Sequence, residues 1–252
     1  MSFDFIWFDI GNTLLHRERE RLFAELLEKA AVKASAADIE LAFHMTDKRF
    51  MREFPGLLGK PAEEFMPLYF GLLCRYLNIG GNILSLLNAW FEARRKAELA
   101  WMPYPVVPDL LERLAAGGKR LGIISNWDPG ATSILATLGI LDYFEAVIIS
   151  SEVGVSKPDE RIFRIALEKV SIDPARCLYV GDNYYDDAVG AATVGMESLI
   201  INRHGLLGVE ELPGLRFISD VSDVLSYLGV SHEGTSCPSA KNGRPDAGDY
   251  KE

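Results

Sequence analysis

The chain has 252 residues, 48% of them hydrophobic, enough for one large domain or two modest ones with a sizeable core. Charged residues make up 25%, the formal net charge is -10, and no block of Lys and Arg stands out, which argues against a broad face for nucleic acid. Cys74, Cys177 and Cys237 show neither metal-ligand spacing nor a disulfide framework, and the amino terminus lacks the parts of a signal peptide, so a cytoplasmic protein is expected.

Phe3 to Phe8 is an apolar and aromatic run that reads as a buried strand, and it ends in Asp9-Ile10-Gly11-Asn12-Thr13. Alone, that ending is equally a strand entering a turn. A helical stripe follows through Leu22, Phe23, Leu26, Leu27, Ala30 and Ala31. Ser35 to Asp38 resembles a capping box that opens a second helix, which Phe54-Pro55-Gly56 breaks. Phe65 to Leu77 and Ile83 to Leu99 give two more helices. This region is too interrupted by Pro, Arg, Asn and Gly to span a bilayer. No convincing strand is found between about residue 16 and about residue 100.

Pro103, Pro105 and Pro108 then read as a linker or hinge. Beyond them strand and helix alternate. Helices are expected over 109–116, from the Asp128-Pro129 start to Leu138, from Pro158-Asp159 through Val170, and over 186–194. Strands are expected over 121–125, 146–150, 177–180 and 197–201, with Phe217-Ile218 and the stretch 222–228 at the end. Short strands alternating with helices imply an α/β fold, a Rossmann-like, doubly wound parallel sheet covered on both faces. Residues 1–15 and 101–230 would form the core and 16–100 a helical insert. Residues 231–252, with almost no large apolar side chain, read as a disordered tail.

Four loci fall at carboxyl ends of expected strands, where open α/β sheets bind ligands. They are Asp9, Ser125-Asn126, Lys157-Pro158 and Gly181-Asp182-Asn183-Tyr184-Tyr185-Asp186-Asp187. Asp9 and Asp182 could share one Mg²⁺, which takes few carboxylates and keeps positions for water and phosphate. Asp9 would then be free to attack phosphorus, splitting a hard displacement into two easier ones. Ser125 and Lys157 could bind the phosphoryl oxygens, and Asp186 or Asp187 could orient metal-bound water or Lys157.

The order strand-Asp9-x-x-x-Thr13, apolar-Ser125-Asn126, Lys157-Pro158 and Gly181-Asp182-x-x-x-Asp186-Asp187 resembles the haloacid dehalogenase-like hydrolase superfamily, in its branch with a helical cap. The resemblance spans residues 3 to about 228. It implies Asp9 as nucleophile and Thr13, Ser125, Asn126 and Lys157 as catalytic-motif residues. It also implies Mg²⁺ on Asp9, the Gly11 carbonyl and Asp182 with support from Asp187, a small phosphorylated substrate, and a cap that closes over the site.

One position departs from the pattern. Family phosphatases carry a second aspartate two residues after the nucleophile, which protonates the leaving group and then deprotonates water. Here it is Gly11. Three readings stay open: a hydrolase of substrates that need little acid help, a 2-haloacid dehalogenase, and a catalytically impaired binding or regulatory member. A related phosphonate hydrolase needs a cap lysine, and no sequence context marks Lys48, Lys60 or Lys96 for that part. His16, His44 and His204 read as exposed, and Arg17, Arg19 and Arg21 as a solvated helix face. Trp127, Tyr184 and Tyr185 either line the pocket or pack where insert and core meet.

Overall fold

A computed structural model describes residues 3–97, 99–212 and 214–230; the expected tail over 231–252 lies outside them. β1 (Phe5–Phe8) ends at a tight turn, and β2 (Leu15–His16) follows. Four helices come next: α1 (Arg19–Lys29), α2 (Ala36–Glu53), α3 (Ala62–Tyr76) and α4 (Ile83–Ala97). β3 (Met102–Pro103) pairs antiparallel with β2, so the helical insert leaves and rejoins the chain through one short ribbon. The remainder alternates as α5 (Val107–Ala116), β4 (Arg120–Ser125), α6 (Ala131–Thr137), β5 (Ala146–Ile149), α7 (Ser150–Val153), α8 (Glu160–Val170) and β6 (Cys177–Gly181). A π-helical turn (Tyr184–Ala188), α9 (Val189–Thr193), β7 (Glu197–Ile201), β8 (Phe217–Ile218) and α10 (Asp223–Tyr227) complete it.

The six-stranded sheet has the order β5-β4-β1-β6-β7-β8, and every neighbouring pair is parallel. Successive side chains of a strand point to opposite faces. Ile6, Phe8, Ile123 and Val180 accordingly join one core with Leu110, Leu114, Leu135 and Val224 from α5, α6 and α10. Phe5, Trp7, Ile124 and Tyr179 join a second core with Ile162, Phe163 and Ala166 of α8 and Ala191 of α9. Apolar packing on both faces explains why β1 has no polar residue.

The insert has its own core. Phe23 meets Phe43, Phe70 and Trp90 edge-on at 5.6, 5.7 and 5.6 Å, each contact contributing about 0.5–1.5 kcal/mol beyond its buried area. The expected capping box is present: Ser35 Oγ accepts from Asp38 N at 3.1 Å, and Asp38 accepts from Ser35 N at 3.3 Å.

Some expectations are corrected. Pro103 lies in the ribbon and Pro108 in the first turn of α5, so the proline cluster is not a loose linker. Asp128 does not cap a helix at Pro129. Its Oδ1 accepts from Gly130 N at 2.8 Å, closing a turn, and α6 begins at Ala131. The helix expected over 186–194 starts as the π-helical turn at Tyr184.

β1 lies between β4 and β6. The chain builds one side of the sheet through β4 and β5, then crosses to β6 on the other side. A crevice therefore opens beyond the carboxyl ends of the central strands, and Asp9, Ser125 and Asp182 all lie there.

Candidate active site

Asp9 N donates to Val180 O at 2.9 Å, which fixes the strand end. The chain then doubles back: Leu14 N and Leu15 N both donate to Ile10 O at 2.9 Å, and Asn12 takes a left-handed φ of 54°. Ser125 Oγ, from the end of β4, donates to Asp9 Oδ1 at 2.9 Å. Lys157 Nζ donates to the same oxygen at 2.7 Å, to Asp187 Oδ1 at 2.6 Å and to Tyr179 Oη at 2.9 Å. Asp9 Oδ2 accepts no hydrogen bond among the described residues. Asn126 is bonded both ways to the Lys157 backbone, accepting from N at 2.8 Å and donating to O at 3.0 Å. The sequence-predicted Asp9, Ser125, Asn126, Lys157 and Asp187 thus form one connected group. Asp9, Asn126, Lys157, Asp182, Asp186 and Asp187 line a common cavity of about 140 Å³. Thr13 is different: it is buried in the turn, and its hydroxyl has no partner among the described residues.

Lys157 is 4% exposed. Burial alone would lower its pKa, but Asp187 and Asp9 more than offset this and hold it well above the ordinary lysine value. Removing one partner from such a buried group typically costs about 3–5 kcal/mol. The carboxylates shift upwards. Burial, with Asp9 and Asp187 nearby, pushes Asp182 up to about 7. Burial and Asp187 push Asp186 up to about 7.

The Asp182 loop is built for this crowding. Asn183 Oδ1 accepts from Tyr185 N at 3.1 Å, and its Nδ2 donates to Asp186 Oδ2 at 2.8 Å. Asn183 N donates to Asp187 Oδ2 at 3.0 Å. Both oxygens of Asp187 are thereby occupied. A Cβ at position 181 would collide with the Asp187 carboxylate, so only glycine fits there.

No group of three or more His, Cys, Asp or Glu side chains among the described residues is arranged to hold a metal. Two carboxylates, a backbone carbonyl and waters remain a set that suits Mg²⁺. The buried Asp186 Oδ1 has no partner among the described residues, and burial raises Asp182 and Asp186, whose ionised forms a cation would stabilise. Both features fit a cation.

Gly11 carries the largest surprise. A Cβ there would lie 3.3 Å from Trp127 Cζ3 and 3.8 Å from Trp101 Cη2. The two indoles pack against each other at 4.6 Å beside this position. Trp127 is therefore a packing residue over Gly11. Tyr185 bonds Glu211 at 2.8 Å, and Tyr184 and Tyr185 border a small cleft against Lys48 and Met51 of the insert.

The sequence reading set Lys48 aside and missed Asp47 and Tyr179. Lys48 is buried, and its Nζ donates to Asp182 O at 2.6 Å, tying α2 to the Asp182 loop. Asp47 holds Arg19 in an ion pair and accepts from Tyr69 Oη at 2.6 Å. The available signal was position: 47 and 48 fall on the stripe of α2 that includes Phe43 and Met51. Arg19 and Arg17 are also not on a solvated face; only Arg21 is exposed, pairing with Glu18 at 2.7 Å. His16 stacks on Tyr104 at 4.5 Å, and the His44 and His204 rings meet at the same distance, tilted by 58°, so none is simply exposed.

A family model described as haloacid dehalogenase-like hydrolase matches residues 3–195. The chain belongs to the haloacid dehalogenase-like hydrolases. This bears out the resemblance carried by the four motifs, and the protein is a hydrolase. Within this family the chain is 32% identical over 201 residues to the glyceraldehyde 3-phosphate phosphatase of Pyrococcus abyssi, covering 77% of this chain and 79% of the relative. The enzyme of the same name from Methanothermobacter thermautotrophicus is 28% identical over 210 residues, covering 78% and 84%. The HAD phosphatase structure from Thermococcus onnurineus shares the fold, with a TM-score of 0.54 at 23% identity over 92% of this chain and 100% of that one. Like the relatives it matches, this haloacid dehalogenase-like hydrolase is matched over most of its length. No helix among its described residues is long and apolar enough to cross a membrane.

Proposed function

We propose that this hydrolase is a phosphatase of small phosphorylated metabolites, working through an aspartyl-phosphate intermediate on Asp9. Residues 1–15 and 101–230 would be the catalytic core, and residues 16–100 the cap. The observation that carries the reading is the bonding of one Asp9 oxygen: Ser125 and Lys157 hold it, which leaves the other for phosphorus. Two relatives named as glyceraldehyde 3-phosphate phosphatases support the substrate class.

Asp9 would attack phosphorus as the bond to the substrate alcohol breaks. The electron pair leaves with the alcohol oxygen, and water supplies its proton because Gly11 cannot. A water molecule then attacks the acyl phosphate, releasing inorganic phosphate and restoring the carboxylate. Ser125 Oγ and Lys157 Nζ would donate to the phosphoryl oxygens, where fixed donors act strongly in a dry site. Asn126 and Asp187 hold Lys157 in place. Asp9, Asp182 and the Gly11 carbonyl would hold Mg²⁺, with Asp186 behind. When bound, the cation neutralises charge as a phosphate approaches a carboxylate.

The buried free thiols of Cys74 and Cys177 suit a cytoplasmic enzyme. A second reading, a weakly catalytic binding member, is favoured by Gly11 alone. A dehalogenase fits less well, since the carboxylates of Asp182 and Asp186 would repel a departing halide. The test is phosphate release from a panel of phosphometabolites and para-nitrophenyl phosphate, with and without Mg²⁺. Turnover that requires Mg²⁺ and disappears in Asp9→Asn is expected. Equal rates in wild type and Asp9→Asn would refute the phosphatase.

A further inference from the structure

A second cavity, of about 210 Å³, lies within the insert. Asn12 and Leu58 line both it and the cavity that contains Asp9, so the two spaces meet at the nucleophile loop. At about 30 Å³ per water, 210 Å³ accommodates a ring or a short chain.

Its walls are largely apolar, with Phe43, Phe65, Phe70 and Leu73, yet three arginines line it. Arg19 is satisfied, because Asp47 and Tyr69 bind it. Arg17 and Arg94 are not. Among the described residues neither makes an ion pair or hydrogen bond. Each instead lies over an aromatic ring, Arg17 at 4.4 Å from Trp101 and Arg94 at 6.0 Å from Trp90. Arg17 Nε is buried without an acceptor, and so is Nε1 of Trp90, a residue only 3% exposed. Burial and mutual repulsion disfavour the charge on both: Arg94 opposes Arg17, and Arg19 opposes Arg94. Asp128 and Glu63 attract them but do not pair with them. Buried donors without acceptors are rare in folded proteins, and a bound group that accepts from them is one way in which they are satisfied. Guanidinium groups recognise oxyanions through paired N–H donors.

We propose that this cavity takes the part of the substrate beyond the ester oxygen, and that this part is an apolar body ending in a carboxylate held by Arg17, Arg94 and the Trp90 N–H. The assignment rests on the phosphatase reading above and narrows its substrate class. A singly charged carboxylate is cheaper to desolvate among apolar walls than a phosphate dianion.

The test compares 4-phosphonooxybenzoate and 4-phosphonooxyphenylacetate with phenyl phosphate in wild type, Arg17→Met and Arg94→Met. In wild type, kcat/KM for the better carboxylated ester exceeds that for phenyl phosphate by at least tenfold, mainly through KM. Each substitution removes most of that ratio. A wild-type ratio near one, or a ratio that both variants keep, overturns the assignment. Thermal melting checks folding, and relieving like-charge repulsion should not lower Tm. If no ester is hydrolysed, the phosphatase reading has failed, and calorimetry with 4-hydroxyphenylacetate still decides. Binding that weakens at least tenfold in both variants supports the cavity's role. Absent or unchanged binding refutes it.

Discussion

Gly11 and Trp127 are close neighbours across the site. The family's acid/base aspartate belongs at position 11, but the indole sits 3.3 Å from where its Cβ would be. Restoring the carboxylate alone therefore presses its Cβ on the Trp127 ring, which would have to give by a few tenths of an ångström. Gly11→Asp should leave monoester hydrolysis unchanged or lower. Gly11→Asp combined with Trp127→Ala should raise it, by up to the ~10²–10⁴-fold that a positioned acid/base supplies. Steady-state kinetics on para-nitrophenyl phosphate would show this; an equal gain in the single variant would mean that Trp127 is no obstacle. At this scale the sequence displayed Asp9, Ser125 and Asp182, because each falls at a strand end, and Lys157, which lies not at a strand end but between α7 and α8, through the Lys-Pro pair before a helix. It did not display what surrounds them. Trp127 is distant in sequence from Gly11, and Tyr179 looks like any aromatic residue of a buried strand. Nothing in the sequence marks Lys48 or Asp47 until α2 is seen to turn them inward.

The elements that meet at the site are α2 and the 202–208 loop, besides the strand ends. His44 of α2 donates from Nε2 to Leu207 O at 2.9 Å and its ring lies 4.5 Å from that of His204. Burial, with Lys48 and His204 nearby, lowers the His44 pKa below the ordinary histidine value. A base with a lowered folded pKa stabilises the contact above its unfolded value, and that contribution is lost as the pH falls through the lowered one. The contact between α2 and this loop should therefore loosen in mild acid. Hydrogen exchange of the loop, corrected for intrinsic rates, should be faster at pH 5 than at pH 7.5, and His44→Gln should reduce the difference. An undiminished difference in the variant would assign the effect elsewhere. The alternation of strands and helices was legible because most of these elements are long enough to show their period, whereas α7, with four residues, was not expected. The β2–β3 ribbon was not: two residues per strand carry no periodicity, and three nearby prolines imitate a linker.

Across the whole molecule, three cavities meet at Asn12, the largest of the three, about 520 Å³, lying between the insert and the core. The site therefore lies between two separately packed bodies. Its carboxylates concentrate negative charge at that junction. Asp182 and Asp186, each raised to about 7, favour the folded state when protonated. That stabilisation is complete below their unfolded values near 4 and is lost as the pH rises through about 7. Without divalent cation, Tm should fall between pH 5.5 and pH 8. Mg²⁺ should raise Tm more at pH 8 than at pH 5.5, because it binds the ionised carboxylates. A Mg²⁺ shift of equal size at both pH values would contradict the assigned ligands. The central claim is that Asp9 carries the phosphoryl group. Without an acid/base at position 11, water is poorly activated and the acyl phosphate should persist. The direct measurement is an acid-quenched reaction with substrate and Mg²⁺, followed by peptide mass analysis. One phosphoryl group on the peptide containing Asp9, absent from Asp9→Asn, is the predicted result; turnover of the same substrate with no phosphoryl group on that peptide at any quench time would contradict it.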